Sequence, residues 1–278
     1  MKKTIFFFLL ILSTSAFSQS PSCCSISSSA SFARLSSDPA FQASHLAPLP
    51  FAYQSAKGTM VAFSTPDGKE GHAFEVKSGG KSDKVIFMFH EWWGLNGYIK
   101  QEAEKLQEEL GDVTVYAIDL YDGKVADNPK DAAAYMGAVR EERAKSIIQG
   151  MLNHVGKAAK IYTIGWCFGG GWSMQAALLA GKQAEACVMY YGMPEKDPKK
   201  LQMLHADILG IFGDQDKWIS PAVVEEFKKN MAAADKKLKV KSYDADHAFA
   251  NPSNPKYNKE FSADAHKLVL EFFKSHMK

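Results

Sequence analysis

The amino-acid sequence predicts an α/β fold in which a mostly parallel central sheet carries helices on both faces. From Gly79 onward, short β-branched and aromatic runs alternate with longer segments of helical periodicity. Parallel strands can be joined only by crossover connections, so this alternation requires helices that return across the sheet. The predicted strands are residues 85–89, 113–118, 161–164, 186–190, 208–212 and 238–243, and the predicted helices are residues 99–110, 129–154, 170–179, 221–234 and 259–275.

Two earlier runs predict an antiparallel hairpin at the edge of the sheet. Residues 59–63 and 72–76 alternate between outward and inward positions on either side of a turn at residues 66–68. The regular pattern therefore begins at about Gly58 and continues to the C-terminus, so residues 58–278 are predicted to be one domain.

The first 18 residues have the features of a secretory signal peptide. A basic start precedes the apolar run 5–12, which is too short to cross a bilayer as a helix. Small residues near position 18 predict cleavage between Ser18 and Gln19. We expect a periplasmic or secreted bacterial protein with no stable membrane insertion after cleavage.

Residues 19–57 are rich in Ser, Ala and Pro and show no sustained period, which predicts a poorly ordered leader or a surface arm. The adjacent Cys23 and Cys24 lack the preceding residues expected of a lipoprotein box. Four cysteines do not make a disulfide framework for a chain of this size, and Cys187 is predicted to pack within a strand.

Composition favours a small-molecule partner. The 278 residues carry a formal net charge of +2 with dispersed lysines, which argues against a nucleic-acid partner. The sequence shows no zinc spacing of Cys or His. We therefore expect a monomer that acts on a small diffusing substrate, with no cofactor and no metal.

The most informative motif is a predicted strand, turn and helix around Cys167. Gly165 and Gly169 stand two residues before and after it, as in a nucleophile elbow, where small residues allow a sharp turn and the following helix directs its N–H groups at the nucleophile. The alternative is a Gly-rich turn with a buried structural cysteine. Partners that follow in the chain order of a catalytic triad favour the first interpretation.

Those partners stand at the ends of later strands. A cysteine nucleophile needs an imidazole to take its proton and a carboxylate to orient the imidazole. His247 is the predicted base and Asp216 the predicted carboxylate, with Asp214 as the alternative. Because ligand-binding groups collect at the carboxyl ends of strands in such sheets, these side chains are expected to meet.

The loop after the first parallel strand is predicted to complete the site. The backbone N–H groups of Trp92 and Phe168 are the expected oxyanion donors, one from the early loop and one from the residue after the nucleophile. The side chains of Trp92, Trp93 and Trp166 are expected to wall an apolar acyl pocket.

From about Gly58 the chain resembles the dienelactone hydrolase family of α/β-hydrolases. The resemblance is carried by His90-Glu91-Trp92-Trp93-Gly94, Asp119-Leu120-Tyr121, residues 165–170, Asp216 and His247-Ala248-Phe249. It implies an α/β-hydrolase fold over residues 58–278 and hydrolysis of an ester or lactone. It also implies that Glu91 holds the proton of the cysteine while the site is empty and releases it when substrate binds.

Two features depart from that family pattern. Its substrate-carboxylate clamp has an arginine where this chain has Asn251, and Arg140 and Arg143 are the candidates for its second arginine. Loss of one guanidinium removes a charge-assisted hydrogen bond worth roughly 1.5–3 kcal/mol, which disfavours an anionic lactone. The export signal also differs from the intracellular location expected for enzymes that degrade chlorinated aromatics.

The sequence thus predicts an exported hydrolase that transfers an acyl group through Cys167, His247 and Asp216. The main alternative is a non-catalytic small-molecule binding protein that retains the fold. A thiol-redox protein is a further alternative, but no C-x-x-C motif or resolving cysteine lies near Cys167.

Overall fold

A computed structural model describes Met1 and residues 27–278. The remainder of the predicted signal peptide, its cleavage site, and Cys23 and Cys24 lie outside the described residues. In the part of the chain that is described, no helix is both long and apolar enough to cross a membrane.

Eight strands form one sheet in the order β1-β2-β4-β3-β5-β6-β7-β8. Their bounds are β1 Thr59–Ser64, β2 Glu70–Val76, β3 Lys84–Phe89, β4 Thr114–Ile118, β5 Lys160–Trp166, β6 Ala184–Tyr190, β7 Asp207–Gly213 and β8 Leu238–Tyr243. Strands β1, β2 and β4 pair antiparallel, and every pair from β4 to β8 across the sheet is parallel. The predicted α/β fold and its edge hairpin are confirmed.

The helices of the domain pack on this sheet. They are α3 Gly97–Leu110, α4 Pro129–Ala138, α5 Glu141–Val155, α6 Phe168–Ala180, α7 Pro198–Gln202, α8 Pro221–Ala233 and α9 Lys259–His276. Two short helices, α1 (Ser28–Ala33) and α2 (Pro39–Ser44), precede the sheet. The single helix predicted over residues 129–154 is wrong. The backbone is extended at Val139 and Arg140, with ψ of 120° and 130°, and no Pro or Gly at either position signals this break.

The nucleophile helix α6 lies in the core against β5 and β6, and nearly all of it is buried. Its sequence is therefore apolar on all sides rather than amphipathic. Because β3, β5, β6, β7 and β8 run parallel, their carboxyl ends share one edge of the sheet. Every strand-end residue singled out by the sequence follows one of these ends.

Residues 27–57 form a segment that we call the N-terminal arm. It contains α1 (Ser28–Ala33), a 3-10 turn (Arg34–Ser37) and α2 (Pro39–Ser44). The Asp38 side chain caps α2 by accepting the Ala40 N–H at 2.8 Å. The segment expected to be poorly ordered or to lie on the surface thus has local structure and buries apolar side chains. Its helices are too short for a period to be visible in the sequence.

Candidate active site

Cys167 occupies a sharp turn between β5 and α6. Its backbone has φ 55° and ψ −119°, a conformation that non-glycine residues rarely adopt and that is often held in place at functional sites. A Cβ on Gly165 would overlap the Gly169 carbonyl, and a Cβ on Gly169 would overlap the Phe89 carbonyl. The two glycines flanking the cysteine are therefore sterically required, as the motif predicts.

Asp216, rather than Asp214, contacts the histidine. Asp216 Oδ2 lies 2.6 Å from His247 Nδ1, and Oδ1 accepts the backbone N–H groups of Trp218 and Ile219 at 2.8 and 2.9 Å. Asp214 is exposed. The two backbone donors fix the carboxylate, so the imidazole has a defined orientation.

The sulfur of Cys167 and a ring nitrogen of His247 lie within 4.8 Å of each other. Since Nδ1 is bonded to Asp216, Nε2 is the nitrogen available to the sulfur. Burial raises the pKa of the Cys167 thiol, and the nearby His247 offsets this only in part. Burial by itself lowers the pKa of His247, but Asp216 and Cys167 raise it well above its ordinary value. Burial thus favours the neutral thiol, and Asp216 makes the adjacent imidazole a stronger base than a free histidine.

Glu91 lies at the carboxyl end of β3 and is buried. Its carboxylate accepts hydrogen bonds from Tyr191 Oη at 3.2 Å and from the Asn251 side-chain amide. Burial raises the pKa of Glu91 to about 7, although His247 and the Tyr191 hydroxyl act in the opposite direction. The charge of Glu91 also raises the pKa of the Cys167 thiol. Glu91 can therefore change protonation near neutral pH within reach of the sulfur.

The predicted oxyanion donors are the backbone N–H groups of Phe168 and Trp92. Phe168 is the first residue of α6, and its N–H lowers the pKa of the Cys167 thiol by hydrogen bonding to it. Among the described residues, the Trp92 N–H has no hydrogen-bond acceptor. The Trp92 N–H is thus unoccupied, whereas the Phe168 N–H is directed at the sulfur.

A cavity of about 280 Å³ opens beside Glu91. Trp93, Trp166 and Asn251 line it, whereas Trp92, which was also expected in the acyl pocket, does not, and Trp166 stacks on Tyr190 with ring centroids 5.4 Å apart. Cys167 and His247 do not line this cavity, and Cys167 is only 1% exposed. Glu91 and Asn251, which are hydrogen-bonded to each other, are the lining residues that belong to the predicted site.

The two arginine candidates lie elsewhere. Arg143 pairs with Asp67 at 3.0 Å and Asp122 at 2.6 Å, which ties α5 to the β1–β2 turn. Arg140 is exposed at the start of α5, and neither arginine lines the cavity. The expectation that one of them clamps the substrate is not met. Arg143 is held by its ion pairs with Asp67 and Asp122, and the side chain of Arg140 is exposed to solvent outside the cavity.

Asn251 has a different partner from the one the family pattern suggests. Its Oδ1 accepts from the Ser253 backbone N–H at 2.8 Å and from the Ser253 hydroxyl at 2.7 Å, so its amide nitrogen is directed at Glu91. Asn251 lines the cavity, but its own hydrogen bonds orient Glu91.

The N-terminal arm covers the histidine and the cysteine. Phe41 is fully buried, with its ring 5.4 Å from Trp92, 5.2 Å from Trp218 and 6.0 Å from His247. His45 lies 4.6 Å from Trp92 and 5.3 Å from His247 between ring centroids. Burial, together with the nearby His247, lowers the pKa of His45 to about 3. His45 is therefore neutral at physiological pH.

A model of the dienelactone hydrolase family matches residues 72–277, which contain every strand-end residue described above. The chain belongs to the dienelactone hydrolase family. As a member of that family, it is an ester or lactone hydrolase.

Two curated relatives match most of the chain. It is 28% identical over 234 residues to Protein usf of Aquifex pyrophilus, which covers 79% of this chain and 99% of the relative. It is 25% identical over 230 residues to the carboxymethylenebutenolidase of a Pseudomonas species, covering 74% of this chain and 94% of that protein.

Solved structures share the fold at lower identity. The dienelactone hydrolase of Anabaena variabilis superposes with a TM-score of 0.57 at 19% identity, over 80% of this chain and 99% of that one. A dienelactone hydrolase-like promiscuous phosphotriesterase from metagenomic libraries superposes with a TM-score of 0.68 at 18% identity, over 80% of this chain and 100% of that one.

Sequence reasoning missed three site residues of this dienelactone hydrolase family member. Tyr191, which donates to Glu91, directly follows β6 and could have been found by examining that strand end as the others were. His45 and Phe41 gave no signal, because they belong to a segment without periodicity that reaches the site from outside the sheet.

Proposed function

We propose that the mature protein hydrolyses a carboxylic ester or lactone by acyl transfer through Cys167. The observation that carries this proposal is the strained cysteine beside a histidine whose other nitrogen is held by Asp216 at 2.6 Å. This arrangement supplies a nucleophile, a base and an orienting carboxylate.

The mechanism follows from these positions. His247 Nε2 takes the Cys167 proton as the sulfur attacks the carbonyl carbon, and the Phe168 and Trp92 N–H groups stabilise the resulting oxyanion. Collapse breaks the carbon–oxygen bond to the leaving alcohol, which receives the proton from His247, and leaves a thioester. Water then attacks the thioester, gives its proton to His247 and releases the acid and the thiol.

Glu91 would control when the thiol ionises. It shares the buried site with the sulfur, and its pKa of about 7 allows it to exist in both protonation states near neutral pH. A substrate in the adjoining cavity reaches Glu91 first. Displacement of Glu91 by substrate would remove its charge from the sulfur and allow the thiolate to form, which is the role that the family resemblance implies.

The cavity favours an uncharged acyl group. Trp93, Trp166 and Tyr190 line it, and apart from Glu91 its acidic, basic and histidine residues lie on α3 (Glu102 and Lys105) and α9 (Lys259 and His266), where both signs of charge are present. Position 251 offers an amide that is already bonded to Glu91. We therefore propose neutral aryl or alkyl esters and lactones as the substrate class.

The decisive experiment is hydrolysis of a panel containing dienelactone, simple lactones and short-chain aryl esters. The Cys167→Ala variant should lose at least about 10³-fold in kcat/KM. The matched control is Cys187→Ala, since Cys187 is the other buried cysteine of the described chain and bonds Ser173 at 3.4 Å within the core. Turnover retained by Cys167→Ala would refute the mechanism.

A second candidate function rests on the burial of the nucleophile. With Cys167 only 1% exposed and absent from the cavity lining, the fold could bind a small molecule without converting it. Saturable binding of a panel ester by wild-type protein, with no turnover and no acyl group on Cys167 by mass spectrometry, would establish this function instead.

We also propose export to the periplasm or beyond, on the basis of the N-terminal sequence alone. Cell fractionation and the intact mass of the mature protein test it, and a mass that includes Met1 and Lys2 would contradict cleavage after Ser18.

A further inference from the structure

Three metal-ligating side chains converge where the N-terminal arm meets the catalytic pair. The sulfur of Cys167 and one ring nitrogen each of His45 and His247 all lie within 4.8 Å of one another. All three residues are buried, with exposures of 1%, 5% and 5%. The hydrolytic mechanism uses only one of the two histidines, so His45 has no function in it.

Both imidazoles have Nδ1 engaged and Nε2 without a partner in the described residues. His45 Nδ1 lies 2.7 Å from the Phe41 carbonyl, which can only accept, so Nδ1 carries the proton and Nε2 has a lone pair. His247 Nδ1 is bonded in the same way to Asp216. Metal-binding histidines typically donate their second nitrogen to a carbonyl or carboxylate in this manner.

The two Nε2 atoms are buried without hydrogen-bond partners in the described residues. A buried polar atom left unpaired costs on the order of 1–3 kcal/mol. A cation between them would satisfy both lone pairs at once. This is the second observation, besides the clustering, that points to a ligand at this position.

The donor set selects the kind of cation. Two imidazoles and a thiolate suit Zn²⁺ and similar borderline-soft ions, whereas Mg²⁺ and Ca²⁺ require oxygen ligands. Tetrahedral Zn²⁺ at its usual bond lengths holds such donors roughly 3.3–3.7 Å apart. The three donors lie within 4.8 Å of one another, so a contraction of about 1–1.5 Å brings them to these separations.

We propose that His45, Cys167 and His247 bind Zn²⁺ and that the bound ion holds the hydrolase in an inactive state with its N-terminal arm closed. Binding replaces the proton of the Cys167 thiol, and any proton on His247 Nε2, with bonds to zinc and releases these protons to solvent. The nucleophile and the lone pair of the base are then both engaged. Removal of the ion returns them to catalysis.

Cobalt is the direct probe, because Co²⁺ occupies zinc sites and a thiolate ligand gives a charge-transfer absorption in the near ultraviolet. The chain is tested with Cys23 and Cys24 replaced by serine, so that the band reports only Cys167 and Cys187. We expect one Co²⁺ per chain, displacement by Zn²⁺, and protection of Cys167 from alkylation by either ion.

Variants then assign the ligands. His45→Gln and His45→Ala should each weaken metal binding by more than about a hundredfold, since loss of even an outer-shell partner costs 10–100-fold. Cys167→Ser should lose the charge-transfer band. The matched control is His205→Ala, which removes an exposed histidine distant from the cluster in sequence and should bind as wild type does.

The outcomes are separable from those of the proposed function, because binding is measured without substrate. Absence of a thiolate band and of Cys167 protection in the wild-type background would overturn the metal site even if the variants failed to fold. Undiminished binding by a folded His45→Gln protein would also overturn it. The expected inhibition of hydrolysis by Zn²⁺, reversed by a chelator, rests in addition on the proposed hydrolase activity.

Discussion

The active site is assembled from two regions that differ in how the chain specifies them. Cys167, Asp216 and His247 follow strands of one sheet, so the topology brings them together. Phe41 and His45 come from the N-terminal arm, which reaches the same point by packing aromatic rings on the outside of the site. The first region follows from the strand order, which the sequence pattern predicts, whereas the second depends on side-chain contacts between the arm and the rest of the chain.

This difference determines what sequence reasoning could recover. The parallel strands, the elbow and the Asp–His pair follow from periodicity and chain order, because crossover connections leave few possible arrangements. The geometry also decides between Asp214 and Asp216, which the sequence left open. The break at Val139 and the ion pairs of Arg143 were not predicted, since both are set by local packing rather than by a repeating pattern.

Substitutions in the region formed by Cys167, Asp216 and His247 at the strand ends, the strand-built region, should have the largest effect on catalysis. Asp216→Asn is expected to lower kcat by about 10³–10⁴-fold, because an amide no longer holds His247 in the correct tautomer. Asp214→Asn, on the exposed side of the same turn, should retain activity. Steady-state kinetics of both variants on one aryl ester checks this. Equal losses would mean that the turn as a whole, rather than the Asp216–His247 contact, supports catalysis.

Glu91 also belongs to the strand-built region, and its effect depends on pH. The pKa of Glu91 is raised from 4.5 to about 7 by burial, so the folded protein holds a proton that the unfolded chain releases between these values. Ionised Glu91 therefore destabilises the fold above about pH 7 and has no such effect below about pH 4. The free energy of unfolding of Glu91→Gln should therefore rise relative to that of the wild-type protein as pH increases, by as much as about 3 kcal/mol.

Urea unfolding of wild type and Glu91→Gln across this pH range measures that gain. The same variant at about pH 4 serves as the control, because it reports the pH-independent cost of losing one hydrogen bond from Tyr191 or Asn251. A difference that does not change with pH would show that Glu91 ionises normally in the folded protein.

A substitution in the N-terminal arm should have the smallest effect of the three on the fold, but it should increase the access of reagents to Cys167. Phe41→Ala removes the ring that packs on Trp92, Trp218 and His247, and we expect alkylation of Cys167 to accelerate by about tenfold or more through opening of the arm. Site-resolved mass spectrometry of the Cys167 peptide measures the rate.

The control is Phe51→Ala, which removes a ring from the same arm that is 40% exposed and stacks on Tyr98 rather than on Trp92, Trp218 or His247. It should leave the alkylation rate unchanged. Unchanged alkylation of Cys167 in Phe41→Ala would mean that the sheet alone, and not the arm, shields the nucleophile.

The hydrogen bond between Trp218 Nε1 and Asp38 joins residues 180 positions apart. The arm emerges first from the ribosome, yet the surface on which it docks includes Trp218 and His247 from the last third of the chain. Contacts of such sequence separation form late in folding, because the loop they close is long. We expect the nucleophile to be assembled before it is covered, so that during refolding Cys167 becomes protected from alkylation only after the sheet has regained its circular dichroism.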